Sequence, residues 1–127
     1  MGYHCPAITR EEPTSDCLFC GIIDSRIKGD IVYRDDSVVA FRDILPRAPV
    51  HILIVPRKHI ATVMDLEPGD LGLMGDIVRV AALLARDEGI AANGFRVVVN
   101  CGENAGQSVF HLHYHLLGGR AFGWPPG

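Results

Sequence analysis

The sequence predicts an α+β fold, with a mostly antiparallel sheet, one long helix and one short helix. Three observations lead to this prediction. His51–Val55 is a nearly continuous apolar run, which is typical of a central strand buried on both faces. Residues 69–88 have helical periodicity, whereas His111–Leu117 alternates histidines with apolar residues at the side-chain period of a strand. A mostly antiparallel sheet combined with one long and one short helix is an α+β architecture.

Composition and charge limit the classes of protein to which this chain can belong. The chain has 127 residues, of which 48% are hydrophobic and 21% charged, as in an ordinary globular domain. A net charge of -3 argues against a nucleic-acid partner, since such proteins usually carry a basic stripe. No apolar run approaches the ~18–20 residues that span a membrane, and Glu11 and Glu12 lie where a signal peptide would be apolar. With no sign of export, the four cysteines indicate a reducing, cytoplasmic setting.

The N-terminal part of the sequence is predicted to form an arm followed by a short helix. Residues 1–15 contain two prolines and little periodicity, so we expect a flexible arm, with the folded domain over residues 16–127. Asp16 can cap a helix over Cys17–Ser25. Its apolar side would carry Leu18, Phe19, Ile22 and Ile23.

The remaining strands are predicted from short runs rich in β-branched residues. Ile31–Tyr33 and Val38–Phe41 flank two aspartates and predict a hairpin. Pro56 ends the central strand, because proline cannot donate to the ladder. Phe95–Asn100 predicts a further strand before the histidine segment.

The long helix is predicted over Gly69–Glu88, with Pro68 in its first turn and Gly89 as its stop. Its apolar residues form two adjacent rows, which are Leu71, Met74, Val78, Ala81 and Ala85, and Leu73, Ile77, Val80 and Leu84. This surface is wider than one small sheet needs. The helix is therefore either deeply buried or covered by a second copy of the chain, and we favour a homodimer.

The histidine segment is the main candidate for chemistry. In a strand, His111, His113 and His115 share one face and Leu112 and Tyr114 the other. Such a row can bind a metal, present one imidazole as a nucleophile, or be polar surface. A neutral imidazole whose Nδ1–H is held by a carbonyl can attack phosphorus through Nε2 and form a phosphohistidine.

The loop before this segment fits the nucleophile interpretation. The glycines of Gly102–Ser108 allow close backbone approach, and successive N–H groups can cradle an anion. Gln107 and Ser108 add side-chain donors next to the histidines. Taken alone, the loop would be read as an ordinary glycine-containing turn.

Cys17-x-x-Cys20 has the spacing of half a tetrahedral zinc site. His59 and His111 are candidates for the other two ligands, and two buried apolar cysteines are the alternative. His51 opens the central strand, where it is either a core histidine or a neighbour of the histidine row.

His111-Leu112-His113-Tyr114-His115-Leu116-Leu117 resembles the signature of the histidine triad (HIT) superfamily. Further segments resemble its Hint branch, and these are Asp43–Pro46, Ala48–His51, Ile54–His59, Val98–Asn100, Gly106–Val109, Gly118–Arg120 and Trp124–Gly127. The resemblance implies a HIT fold in which two five-stranded sheets join into one ten-stranded sheet in a homodimer. It also implies a purine nucleoside phosphoramidase. Such an enzyme hydrolyses the P–N bond of adenosine or guanosine 5′-phosphoramidates, and aminoacyl adenylates, through a covalent nucleotidyl-histidine.

Matching positions assign the site residues that this resemblance implies. His113 is the nucleophile, and His115, His51 and Ser108 support the phosphate and the chemistry. Asp43 holds the ribose. The remaining nucleotide contacts are a base pocket of Leu18, Phe19, Ile22, Phe41 and Ile44, and a phosphate and leaving-group region of Asn100, Gln107, Ser108 and Val109.

The cysteine pair departs from the animal Hint proteins and is similar to that of many bacterial HIT proteins. Those proteins use such a pair with two histidines to bind structural zinc. The implied ligands are Cys17, Cys20, His59 and His111, and a bacterial source is implied too.

Two alternatives remain beside the phosphoramidase. One is a zinc-dependent hydrolase with all three histidines of the row on one catalytic metal. The other is a nucleotide-binding regulatory module whose hydrolysis is incidental.

Overall fold

The short helix α1 spans Leu18–Ile23 in the computed structural model, which describes residues 17–127. The predicted arm and the predicted cap Asp16 lie outside the described residues. The N-cap position is held by Cys17, whose sulfur accepts a hydrogen bond from the Cys20 N–H at 3.4 Å. The helix stops before the predicted Ser25, because Ser25 adopts a positive φ of 66° that ends helical geometry.

Five strands form one sheet, as predicted. They are β1 (Ile31–Arg34), β2 (Val38–Arg42), β3 (Val50–Pro56), β4 (Phe95–Val99) and β5 (Tyr114–Gly118), in the spatial order β1-β2-β3-β5-β4. All four pairings are antiparallel. The apolar run around His51 is indeed the central strand, and all seven residues of β3 are buried.

The long helix α2 spans Leu71–Asp87 and follows a single 3₁₀ turn at Pro68–Asp70. Lys58 donates to the buried Asp70 carboxylate at 2.6 Å, and this ion pair ties the start of α2 to the segment after β3. Gly89 has the positive φ, 76°, expected of a residue that stops a helix.

Strand alternation divides the core between the two faces of the sheet. Even-numbered strand residues pack against α2 in one cluster. The strands contribute Val38, Ala40, Ile52, Ile54 and Leu116 to this cluster, and α2 contributes Ile77, Val80 and Leu84. Odd-numbered residues pack against α1 in a second cluster that includes Phe19, Ile22, Val39, Phe41, Leu53 and Val55. The odd-numbered face therefore carries the histidines.

The predicted histidine strand is only partly regular. His115 lies in β5, whereas His111 and His113 lie just before it. The ladder ends at Tyr114 because the Leu112 N–H bonds to the carbonyl of Ile60, outside the sheet, at 2.6 Å. The alternation nevertheless persists, since Leu112 and Leu116 are fully buried away from the histidines.

The apolar surface of α2 is more fully used within the chain than its sequence suggested. Ile77, Val80, Ala81, Leu84 and Ala85 are buried. Leu71 and Val78 remain 63% and 53% exposed. Among residues 17–127, no helix is long and apolar enough to cross a bilayer.

Candidate functional site

A cavity of about 360 Å³ lies on the odd-numbered face of the sheet, beside α1. Ten of the predicted nucleotide-binding residues line it, and these are Leu18, Phe19, Ile22, Phe41, Asp43, Ile44, Ser108, Val109, His113 and His115. The cavity therefore brings together the predicted base pocket, ribose ligand and nucleophile.

His113 is held in one orientation at this cavity. Its Nδ1–H donates to the carbonyl of His111 at 2.8 Å, which leaves the lone pair on Nε2. Phe19 meets the imidazole edge-on, with ring centroids 5.0 Å apart. Burial lowers the pKa of His113, while Asp43 acts in the opposite direction. The ring is thus a neutral imidazole with a fixed tautomer and an unprotonated Nε2.

A hydrogen-bond chain fixes the tautomers of His51 and His115. The backbone N–H of Arg47 donates to Nδ1 of His51 at 3.0 Å, so a neutral His51 carries its proton on Nε2. That Nε2–H donates to Nδ1 of His115 at 2.9 Å, and His115 in turn carries its proton on Nε2. Burial, together with His113 and His51, lowers the pKa of His115 to about 4. His115 is therefore a neutral hydrogen-bond donor beside His113, with ring centroids 5.0 Å apart.

Asp43 lines the cavity and lies next to His51. Its Oδ1 accepts from the backbone N–H of Leu45 at 2.9 Å. Its Oδ2 lies 3.4 Å from Nε2 of His51. The carboxylate is only partly exposed and keeps acceptor capacity toward the cavity.

Gln107 and Asn100 differ from the other ten predicted nucleotide-binding residues, because neither lines the cavity. Gln107 is buried, and its amide accepts from the N–H of Gly102 and donates to the carbonyls of Ala61 and Val109. Both of its amide N–H bonds are directed at backbone carbonyls. Gln107 therefore braces the loop that presents Ser108.

Four buried side chains form a compact cluster under α1, namely Cys17, Cys20, His59 and His111. Nδ1 of His111 lies 3.6 Å from Sγ of Cys17 and 3.4 Å from Sγ of Cys20. Nδ1 of His59 lies 3.3 Å from Sγ of Cys20 and 3.3 Å from Nδ1 of His111. Zn–S bonds of about 2.3 Å and Zn–N bonds of about 2.0–2.1 Å give tetrahedral N···N and N···S edges of roughly 3.3–3.6 Å. Cys17 is disulfide-bonded in this structure, and once it is reduced to a thiolate the four donors fit a zinc ion.

The surroundings of His111 also suit a metal ligand. Its Nε2–H donates to the carbonyl of Pro56 at 2.8 Å, which leaves Nδ1 unprotonated and directed at the cysteines. A carbonyl partner of this kind is the usual second contact of a metal-bound histidine.

The geometry does not favour one catalytic metal on all three histidines of the row. Nδ1 of His111 points into the cysteine cluster, and Nδ1–H of His113 is bonded to backbone. Asp43, His51 and His115 do lie close together. However, Nε2 of His51 carries a proton as long as its Nδ1 accepts from Arg47.

Six further residues line the cavity without having been predicted, and these are Ile27, Lys28, Gly29, Arg42, Leu45 and Leu53. Leu53 could have been found from alternation, because it follows His51 by two positions in the same strand. Lys28 lies between the predicted short helix and the first predicted strand, where no local pattern indicated its position.

Comparisons with known proteins agree with this geometry. A family model described as HIT domain matches residues 24–122. A purine nucleoside phosphoramidase of Escherichia coli is 48% identical over 108 residues, which cover 85% of this chain and 91% of that protein.

Solved structures of HIT proteins are also similar to this chain. The crystal structure of a HIT family hydrolase from Legionella pneumophila has a TM-score of 0.86 at 48% identity, covering 87% of this chain and 99% of that one. A histidine triad nucleotide-binding protein from Candida albicans has a TM-score of 0.74 at 32% identity, covering 87% and 84%.

Proposed function

Because the chain belongs to the HIT domain family, we propose that it hydrolyses the P–N bond of purine nucleoside 5′-phosphoramidates through a nucleotidyl-histidine. The observation that carries the proposal is the orientation of His113, whose Nδ1–H is bonded to backbone at the cavity wall. The similarity to the E. coli phosphoramidase supports the substrate class. Aminoacyl adenylates, which present the same nucleotidyl group, are further substrates in this proposal.

In the proposed first step, Nε2 of His113 attacks phosphorus and the P–N bond breaks. The departing nitrogen takes up one proton from solvent. The phosphorylated imidazole bears a positive charge, which the carbonyl of His111 stabilises by accepting from Nδ1–H. In the second step a water molecule attacks phosphorus, and the P–N bond to His113 breaks. The attacking water releases one proton to solvent, which balances the proton taken up in the first step. Nε2–H of His115 and the Ser108 hydroxyl donate to the phosphoryl oxygens in both steps.

The direct test is to trap the intermediate. The protein is mixed with an adenosine 5′-phosphoramidate, quenched within one turnover and digested for mass spectrometry. An AMP adduct on the peptide that contains His113 is expected. Turnover without any adduct at this histidine, under conditions that preserve P–N bonds, would contradict covalent catalysis.

Asp43→Ala is expected to weaken binding of AMP by roughly tenfold or more. A carboxylate that accepts from both ribose hydroxyls makes charge-assisted hydrogen bonds worth about 1.5–3 kcal/mol. Binding of 2′,3′-dideoxy-AMP is expected to change much less, and calorimetric titration of both nucleotides measures the difference. Equal losses for both nucleotides would remove Asp43 from the ribose site, since loss of its contact with His51 would affect both alike.

The proposed chemistry has a characteristic pH dependence. Because burial lowers the pKa of His115 to about 4, its neutral form persists well below the ordinary value of about 6.5. Protonation would put a hydrogen on Nδ1 and break the bond from His51. Burial lowers the pKa of the proposed nucleophile His113 as well. We therefore expect kcat/KM, after subtraction of uncatalysed hydrolysis, to show no half-loss at about pH 6.5, the ordinary pKa of histidine. A half-loss near pH 6.5 in protein that circular dichroism shows to be folded would contradict this.

Zinc bound by Cys17, Cys20, His59 and His111 would be a structural cofactor in this proposal, since four protein ligands leave no open position. When bound, it would cross-link α1 to the segments that carry the two histidines. The carbonyl of His111 holds the nucleophile, so the cluster also supports the position of His113.

The chain is also proposed to form a homodimer through β4. Among the described residues, β4 pairs only with β5, and its other edge is left open. Phe95, Val97 and Val99 are each 38% exposed. They lie on the α2 side of the sheet, because Val97 pairs with Leu116 of the α2 core. Two such edges, pairing with each other, would give the ten-stranded sheet.

Val97→Lys is expected to convert a dimer into a monomer, because a charge on an edge strand opposes pairing. Light scattering at micromolar concentration measures the mass, and Val78→Lys, on the exposed side of α2, tests the extent of the interface. Val80 is buried in the core, so a charge there would unfold the chain rather than dissociate it. A monomeric wild-type protein would defeat the proposal.

A further inference from the structure

Lys28 lines the same cavity as the nucleophile but has no role in the chemistry described above. Its side chain is exposed, and its ammonium makes no hydrogen bond or ion pair with any residue in the described range 17–127. A lysine at a cavity wall that no carboxylate neutralises is available to a ligand.

Strand order places Lys28 at the end of the cavity away from the histidines. His115 lies in β5, and Lys28 lies three positions before the start of β1. Three strand spacings separate β5 from β1, which is about 14 Å at 4.7–4.9 Å each. A 5′-nucleotide with phosphorus at His113 and ribose at Asp43 would extend its base toward Lys28.

The other described side chains at this end of the cavity can pack against the flat faces of a base. They offer no free hydrogen-bonding group that would distinguish the edge of one base from that of another. Ile22, Ile27, Phe41 and Ile44 have apolar side chains. Arg42 also lines the cavity, but its guanidinium is bound to both carboxylate oxygens of Glu88, at 3.0 and 2.9 Å. Lys28 is therefore the uncommitted cation among the described residues at this end.

We infer that Lys28 makes the base pocket selective for 6-oxopurines, guanine and hypoxanthine, over adenine. A lysine ammonium has three donors and no acceptor. The O6 and N7 atoms of a 6-oxopurine are neighbouring acceptors, whereas adenine replaces O6 with an amino group that donates. The inference rests on the proposed function, because that proposal sets the direction in which the nucleotide lies.

The test measures equilibrium binding of GMP, IMP and AMP by calorimetry. The wild-type protein is expected to bind GMP and IMP about tenfold more tightly than AMP. Lys28→Met should bring the three affinities together, and Lys28→Arg should keep the preference. Arg26→Met is the matched control, because Arg26 lies in the same exposed segment, pairs with Asp24 and does not line the cavity.

These outcomes separate the inference from the proposed function. IMP isolates the contact at O6, since it lacks the 2-amino group of guanine. An unchanged GMP-to-AMP ratio in Lys28→Met, or no preference in the wild-type protein, would overturn the role of Lys28. Phosphoramidate hydrolysis would be untouched by that result. Conversely, a lysine-dependent preference in a protein that hydrolyses no phosphoramidate would refute the proposed function and leave the inference standing.

Discussion

His113→Ala is expected to lower kcat for an adenosine 5′-phosphoramidate by about 10⁴-fold or more, the scale seen when a covalent nucleophile is removed. The alanine variant has no atom that can form the intermediate. Binding of AMP should change only a few-fold, because Asp43 and the apolar wall of the cavity are unchanged. Steady-state kinetics and calorimetry together separate loss of chemistry from loss of binding.

The control for shape is His113→Asn. An asparagine can keep a donor near the carbonyl of His111 but has no nucleophilic nitrogen, so this variant should be as inactive as alanine. Unfolding would be visible as a lost melting transition. Hydrolysis within a few-fold of the wild-type rate in a folded His113→Ala variant would assign the nucleophile to another residue.

The tautomer of His113 could be expected from the sequence only in general terms. Period-two alternation correctly put His113 and His115 at one cavity and Tyr114 on the opposite, α2 side of the sheet. It could not show that the ladder ends at Tyr114, because that depends on the Ile60 carbonyl taking the Leu112 N–H from a segment about fifty residues earlier. A carbonyl two residues away still holds Nδ1, so the chemistry expected of a strand is available from an irregular segment.

The roles of side chains that hydrogen-bond to backbone groups are the hardest to predict from sequence. Gln107 was expected to donate to a phosphate because it adjoins Ser108 in a glycine-rich loop. Its amide is hydrogen-bonded to the backbone of Gly102, Ala61 and Val109, partners that a buried amide needs and that local sequence does not reveal. The position of Lys28 depends on the strand order, which local patterns do not specify.

For the cysteine cluster, two ligands follow from local sequence spacing, whereas the other two are brought to the site by the fold. The spacing of Cys17 and Cys20 predicts two ligands because both lie in the first turn of one short helix. His59 and His111 come from distant parts of the chain, and only the fold brings their nitrogens to 3.3 Å from each other. Their assignment depended on resemblance to other HIT proteins and is consistent with the tetrahedral spacing.

Removal of zinc is expected to lower the melting temperature by about 10 °C or more, since structural zinc contributes several kcal/mol and each kcal/mol shifts the melting point by a few degrees. Four buried donors without their ion would face one another across about 3.3–3.6 Å. Elemental analysis of protein purified without chelator should find about one zinc per chain, the count for one four-ligand site.

Cys17→Ser combined with Cys20→Ser should reproduce the effect of the chelator, and chelator should then cause no further change. Cys101→Ser is the matched control, because Cys101 is exposed and outside the cluster. Activity should fall less than in His113→Ala, since loss of zinc loosens α1, and with it the contact of Phe19 with His113, but leaves Nε2 in place. Metal-free protein whose melting is unchanged by chelator would make the four residues an ordinary buried cluster. His113 would then be oriented by the His111 carbonyl and Phe19 without help from a metal.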